Sequence, residues 1–174
     1  LIEGGAQERR KRAGTENVAG IVGLAAALQT ACDHLEANAA KVTALRDKLI
    51  DGLAAIPHAA LNGDRDHRLP GNVNVCFEGI EGESLLLLLD DKGIAASSGS
   101  ACTSGSLDPS HVLLAIGRPH EVAHGSLRLT LGRENTPEEV EQIIAAVTET
   151  VEYLRSISPV WRDLQNGTRT YVIK

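Results

Sequence analysis

Apolar positions recur at helical spacing in three long segments of the chain. The segments 18–35 and 40–56 each carry one apolar stripe, and a third begins at Thr136, which opens a capping box. The stripes consist of Leu24, Leu28, Cys32 and Leu35; of Val42, Leu45, Leu49, Leu53 and Ile56; and of Val140, Ile143, Ile144, Val147, Val151 and Leu154. We predict a helix in each segment, the second ending before Pro57, because proline cannot continue a helix.

Two further segments alternate between apolar and polar residues, which is typical of half-buried strands. In 69–77, Val73, Val75 and Phe77 share one face, and Asn72, Asn74 and Cys76 share the other. In 126–131, three leucines alternate with Ser126, Arg128 and Thr130. We predict one strand in each segment, with the apolar face against the helices.

Shorter elements complete the pattern. We predict a helix over 82–92 closed by Gly93, a short strand over 94–96, and a helix with Asp108 as N-cap and Pro109 in its first turn, ending at Gly117. The residues after Pro159 are expected to form a mobile tail. The order of elements predicts an α+β fold with helices packed on one face of a small sheet.

Composition narrows the class of protein. The 174 residues are 43% hydrophobic but only 2% aromatic, so we expect a core of Leu, Ile, Val and Ala, in one domain or one domain and a stub. The net charge of −6 argues against general nucleic-acid binding. The longest apolar run, 85–89, predicts no membrane span. The start lacks both Met and the pattern of a signal peptide, so we expect a fragment or trimmed chain.

Cys102 differs from the other two cysteines. Cys32 and Cys76 lie on predicted helix and strand positions, where cysteine commonly acts as a small buried hydrophobe. Cys102 lies in the Ser- and Gly-rich segment 97–106, which we expect to be an exposed, mobile loop with an accessible thiol. The alternative is a plain linker with an incidental thiol. Because this loop contains no Lys, Arg or His, activation of the thiol must come from elsewhere. No spacing among the three cysteines suggests a disulfide framework or a zinc site, and a reducing cytoplasm is the simplest location.

Two basic features are candidate anion sites. Arg128 points away from the buried leucines, and its guanidinium is suited to a carboxylate, although an ordinary solvated arginine fits the same pattern. Four basic residues occupy 9–12, followed by Gly14 and Thr15 at a helix start. That segment is either a solvated charged loop or a site for an anion.

Several motifs together resemble one enzyme family. The segment 96–111, Ala-Ser-Ser-Gly-Ser-Ala-Cys-Thr-Ser-Gly-Ser-Leu-Asp-Pro-Ser-His, closely resembles the active-site loop of cysteine desulfurases of the nitrogen-fixation type (NifS). The similarity continues, in the family's order, at 4–9, 12–17, 69–74 and 124–129, and it extends to about Trp161.

The resemblance implies a fold and a division of the chain. It implies the small C-terminal domain of a fold-type-I, aminotransferase-like enzyme that depends on pyridoxal 5′-phosphate (PLP). Residues 18–158 would form that domain, 1–17 the end of the large PLP-binding domain, and 159–174 a C-terminal tail.

The resemblance also implies the chemistry. L-cysteine would be converted to L-alanine, with the sulfur held on Cys102 as a persulfide and then passed to a scaffold protein for iron–sulfur, including nitrogenase, clusters. Arg128 would bind the substrate carboxylate, and Thr15 the PLP phosphate of the partner subunit in a cytoplasmic homodimer. No resident metal is expected, and Cys102 would contact an iron–sulfur cluster only transiently.

One departure from the family pattern concerns the cofactor. The family's PLP-binding lysine lies in a Ser-x-His-Lys type motif, and none of the five lysines of this sequence has such neighbours. We therefore expect the sulfur-accepting half of an active site, inactive in isolation. The alternatives are a sulfur-carrying or partner-binding module that works without PLP and a thiol redox protein, for which no resolving cysteine is near Cys102. A relative acting on selenocysteine also fits the sequence.

Overall fold

The computed structural model describes residues 2–98 and 109–173, which excludes Cys102 and its neighbours. The chain divides into two compact units, Leu1–Asn38 and Ala39–Lys174. After a short 3-10 helix, Gln7–Arg10, the described residues form α1 Val18–Asp33, α2 Leu35–Ala54, β1 Ala59–Leu61, β2 Asn72–Phe77, α3 Gly82–Asp91, α4 His111–Ala115, α5 His120–Ala123, β3 Ser126–Thr130, α6 Pro137–Ile157 and α7 Pro159–Gln165.

The three strands form one antiparallel sheet in the order β1-β2-β3. Its apolar face packs against α2, α3 and α6, as the alternation predicts. Val73, Val75, Phe77, Leu127 and Leu129 lie there, each at most 3% exposed. The main core therefore lies on one face of the sheet, and the expected α+β architecture is confirmed.

Among the described residues, a second and smaller cluster packs against one end of the opposite face of the sheet. Cys76 lies there in a small cluster with Leu113 of α4, Val122 and Ala123 of α5, and Ile173. The sequence pattern did not predict α5, which is too short to show a period. Gly125 allows the close turn from α5 into β3, because a Cβ at this position would overlap the carbonyl oxygen of Phe77.

The predicted capping box at the start of α6 and the predicted glycine at the end of α3 are both confirmed. Thr136 accepts a hydrogen bond from the Glu139 amide while the Glu139 side chain accepts one from the Thr136 amide, which is the predicted capping box. Gly93, after α3, has a φ of 75°, a conformation that glycine adopts without strain.

Helix α1 differs from the expectation for its side chains. The helix forms, but none of its residues is buried, and Cys32 is exposed where a buried cysteine was expected. Exposed apolar side chains include Ile21, Leu24 and Leu28. Periodicity shows which side of a helix is apolar but not what covers it.

Two other expectations were wrong. The segment 94–96 is not a strand, although Ser97 forms a bridge with Arg128. Helix α4 begins at His111 with Ser110 as N-cap, so Pro109 is not in its first turn; Asp108 lies outside the described residues.

The end of the chain forms ordered structure instead of the expected tail. Residues from Pro159 form α7, and the amides of Val172 and Ile173 donate to the Glu78 carboxylate at 2.8 and 2.9 Å. These two bonds to a buried acceptor fix the segment after α7 against the end of β2.

In the described part of the chain, no single helix is long and apolar enough to cross a membrane, and α1 and α2 pass such a test only when they are taken together.

Candidate functional site

A line of polar side chains crosses the partly open face of the sheet. Asn74 of β2 lies directly opposite Arg128 of β3, and Arg128 exchanges two backbone hydrogen bonds with Ser97 at 2.6 and 3.0 Å. On the other side, the backbone N–H of Asn62 donates to the backbone carbonyl oxygen of Asn74 at 2.8 Å. Residues directly opposite one another in a sheet share a face. Asn62, Asn74, Arg128 and Ser97 are called the polar row below.

Arg128 is the cationic member of the polar row. Its exposed side chain stands between Leu127 and Leu129, which are 1% and 3% exposed. Among the described residues, Arg128 forms no ion pair. The predicted direction of this side chain is confirmed, and the geometry suits a guanidinium that binds an anionic ligand above the sheet.

Asn62 connects the polar row to α4. It is 6% exposed, and its Nδ2 donates to Asn74 Oδ1 at 2.6 Å and to Cys76 Sγ at 3.1 Å. Its Oδ1 accepts from Arg118 Nε at 2.7 Å. Arg118 follows Gly117, the left-handed residue after α4, and also donates to the Leu61 carbonyl at 2.6 Å. Every polar atom of this buried amide therefore has a partner.

Cys76 lies beside the polar row but is built as a structural residue. It is 0% exposed, and burial raises the pKa of its thiol, although the hydrogen bond from Asn62 and the charge of Arg118 act the other way. A buried thiol held in its neutral form is a poor nucleophile. The expectation of a structural Cys76 agrees with this environment.

Of the predicted site residues, the structure describes Arg128 and Thr15. Cys102 lies outside the described residues, but Ser97, five positions before it, is paired with Arg128. Five residues span at most about 18 Å, which limits the distance from Ser97 to Cys102 along the chain.

Thr15 belongs to the first unit, in which it is exposed two residues before Asn17, the N-cap of α1. Gly14 before it has a φ of 102° and donates its amide to Gln7 Oε1 at 3.2 Å. Arg12 is engaged with Glu8 and Glu16 at 3.8 and 3.6 Å. The turn therefore presents the Thr15 hydroxyl to solvent, which is compatible with one contact to a phosphate group.

Sequence reasoning did not find Asn62, Arg118 or Ser97. Alternation placed Asn74 and Arg128 on outward faces, but only the register of the strands shows that they are neighbours. Within the described ranges, no group of three His, Cys, Asp or Glu side chains could hold a metal ion.

Comparison with known proteins extends over nearly the whole chain. Residues 4–143 match the model of the family described as aminotransferase class-V. The chain is 59% identical over 160 residues to the cysteine desulfurase IscS of Methanosarcina thermophila and 54% identical over 162 residues to the cysteine desulfurase NifS of Azotobacter vinelandii. Each match covers 92% of this chain and 40% of the relative.

A solved structure titled NifS-like protein supports the same relationship. It superposes with a TM-score of 0.75 at 36% identity, covering 88% of this chain and 39% of that one. The chain thus spans about 40% of the length of the curated relatives it matches. Because the family model covers far more than half of the residues, this chain belongs to the aminotransferase class-V family.

Proposed function

We propose that this chain is the sulfur-accepting part of a PLP-dependent cysteine desulfurase. The observation that carries the proposal is the pairing of Arg128, a cation on the partly open face of the sheet, with Ser97, which leads into the Cys102 segment. The proposal therefore assigns carboxylate binding to Arg128 and nucleophilic attack to Cys102, which follows Ser97 by five residues. The names of the relatives agree, since both are cysteine desulfurases.

Arg128 has the first role in the proposed reaction. Its guanidinium binds the carboxylate of L-cysteine with two parallel hydrogen bonds and fixes the direction of the substrate side chain. When bound, PLP supplies an electron sink that makes the substrate's carbon–sulfur bond breakable. Thr15 offers one hydroxyl to the phosphate of this group, from the neighbouring subunit of a homodimer.

Cys102 has the second role. Its thiolate sulfur forms a bond to the substrate sulfur while the carbon–sulfur bond breaks, and the electron pair of that bond remains with the carbon skeleton. The skeleton takes up a proton to give L-alanine, and Cys102 retains the sulfur as a persulfide. The sum needs no external oxidant, because one sulfur atom moves from cysteine to a thiol.

The persulfide is then passed to an acceptor protein. We infer a scaffold for iron–sulfur clusters, including those of nitrogenase, and a cytoplasmic location. We also infer that 1–17 ends a large PLP-binding domain and that 18–158 is the small domain.

A hybrid enzyme tests the proposal. This chain would replace the matching 40% of the Methanosarcina thermophila enzyme, which supplies a PLP-binding part. We expect visible absorbance from bound PLP and release of L-alanine from L-cysteine. A folded hybrid that binds PLP but forms no alanine contradicts the proposal.

The isolated chain provides the contrasting measurement. It carries none of its five lysines in the family's motif, so we expect neither a stable absorbance band with PLP nor alanine. If a persulfide donor loads Cys102 equally well in the chain alone and in an inactive hybrid, a sulfur-carrying module without PLP is the better account.

A further inference from the structure

The hydrogen-bond polarity of the polar row is fixed from one end. A guanidinium only donates, so Asn62 must turn its Oδ1 toward Arg118, at 2.7 Å from Nε. The Nδ2 of Asn62 then faces Asn74, which must present its Oδ1, at 2.6 Å. The orientation of the Asn74 amide therefore does not depend on an arbitrary choice between oxygen and nitrogen.

This polarity turns the donor end of Asn74 away from Asn62. Asn62 lies at the end of β1, on one side of β2, and Arg128 lies on the other side in β3. No hydrogen bond from Asn74 Nδ2 to another described residue is present, and Asn74 is only half-buried. Among the described residues, the two N–H groups of its amide therefore have no acceptor, and they lie on the same face as Arg128.

Asn74 and Arg128 are close neighbours. Because the backbone N–H and carbonyl of Arg128 are used by Ser97, the pair with Asn74 is of the kind without mutual hydrogen bonds. Such pairs have Cα atoms about 4.5 Å apart, closer than hydrogen-bonded pairs. A guanidinium and the donor end of an amide therefore lie side by side, an arrangement suited to an anion that accepts from both.

We propose that Asn74 is a second ligand of the carboxylate that Arg128 binds, and that Asn62 and Arg118 are positioning residues that set its amide. The identity of that carboxylate as the one of L-cysteine rests on the proposed function. Arg128 supplies the charge, and Asn74 donates one hydrogen bond to a carboxylate oxygen. The pair binds a carboxylate and does not bind an analogue without one, such as cysteamine.

A purely structural role for Asn74 is the competing explanation, because the row also satisfies buried polar groups. Asn72 is the matched control, since it lies on the same face of β2, is half-buried, and pairs with Thr130 rather than with Arg128. Replacing Asn74 and Asn72 with alanine in turn removes the same amide at neighbouring positions.

Titration of the chain with sodium acetate, followed by NMR of nitrogen-bound protons, tests the proposal without PLP or turnover. We expect the resonances of the Asn74 side-chain amide and of the Arg128 Nε–H to shift with one common dissociation constant of about 1 mM or weaker. Asn74→Ala should weaken acetate binding about twofold to tenfold, the equivalent of one hydrogen bond. Asn72→Ala should leave the affinity unchanged.

The positioning residues have a separate readout. Arg118→Met removes the donor that fixes Asn62, so acetate binding should weaken by about the same factor although Asn74 is intact. Arg118→Lys, which keeps a donor, should recover part of the loss. Because Asn74→Ala also removes the acceptor of the buried Asn62 amide, both variants should be titrated well below their unfolding midpoints, which excludes a general loss of structure.

Shifts at Arg128 without shifts at Asn74, or no shift at either, would overturn the proposal. In the hybrid enzyme, Asn74→Ala should raise KM for L-cysteine by the same factor with kcat unchanged. If acetate binds as described but the hybrid forms no alanine, the proposed function fails and the anion site stands. If the hybrid is active and Asn74→Ala changes neither acetate binding nor KM, the proposed function stands and the role of Asn74 fails.

Discussion

The two faces of the sheet are built from alternate residues of the same strands, and β3 shows the contrast within three positions. Leu127 and Leu129 are 1% and 3% exposed and pack beneath the helices, whereas Arg128 between them is exposed. On β2, Val73 and Val75 enter the core while Asn74 joins the polar row. One face therefore carries the hydrophobic core, and the other presents the exposed Arg128 side chain, on which the proposed function depends.

The largest expected effect is on the rate at which Cys76, at the buried end of the polar face, is chemically labelled. Cys32 is exposed and Cys76 is buried, and burial raises the pKa of the Cys76 thiol. A raised pKa leaves less thiolate at neutral pH, and labelling of Cys76 requires opening of the structure. We expect iodoacetamide to label Cys76 more than about a thousandfold more slowly than Cys32, given a typical stability of at least about 5 kcal/mol. Mass spectrometry of the two peptides over time measures the ratio, and similar rates would show that the small cluster is open.

The next prediction concerns the apolar face. Leu127→Ala removes a fully buried side chain from the centre of β3, so we expect a loss of about 2–5 kcal/mol in the free energy of unfolding. Urea unfolding followed by circular dichroism measures the loss. Thr130→Ala on the same strand is the control, because Thr130 is exposed and should change stability by less than about 0.5 kcal/mol.

The corresponding change on the polar face should act on binding instead. In the hybrid enzyme, Arg128→Ala should weaken the binding of L-cysteine about tenfold to a hundredfold, since a charge-assisted pair contributes roughly 1.5–3 kcal/mol. Unfolding should change by less than about 0.5 kcal/mol, because the side chain is exposed. An unchanged KM, or a loss of stability comparable to that of Leu127→Ala, would contradict the division between the faces.

The smallest effect is expected at the start of α6, which covers the apolar face. Thr136→Ala removes the N-cap and should lower the free energy of unfolding by about 1 kcal/mol.

The hydrogen bonds from Asn135 and from the Thr136 amide lower the pKa of the Glu139 carboxyl below its usual 4.5. A lowered pKa stabilises the fold above pH 4.5, and that contribution is lost as pH falls through the folded-state pKa. Glu139→Gln should therefore flatten the stability profile on the acid side of pH 4.5, measured by thermal unfolding, and an unaltered profile would argue against the capping box.

Sequence patterns predicted the parts of the fold that repeat. Helix α6 and strands β2 and β3 are long enough for their period to appear, and Gly93 marks the end of α3 through its left-handed conformation. Strand β1 has three residues, Ala59–Leu61, and no alternation, so only pairing with β2 defines it. Residues after Pro159 carry no period, and their order comes from the Glu78 carboxylate and from packing.

The candidate site was predictable only in part. A Ser- and Gly-rich segment around Cys102 and the outward position of Arg128 are properties of the local sequence. The positions of Asn62, Arg118 and Ser97 beside them depend on strand register and on the end of α4, which local sequence does not encode. Apolar α1 illustrates the opposite case, because its pattern is clear while none of its residues is buried.

The location of the transferred sulfur tests the central claim most directly. The hybrid enzyme would be mixed with one equivalent of L-cysteine, quenched at acidic pH, and digested for mass spectrometry of the three cysteine peptides. We predict one added sulfur atom on Cys102, removed by dithiothreitol, with Cys32 and Cys76 unmodified and with no transfer in Cys102→Ala. Sulfur on Cys32, or alanine and persulfide formed equally well by Cys102→Ala, would contradict the assignment of Cys102 as the sulfur acceptor.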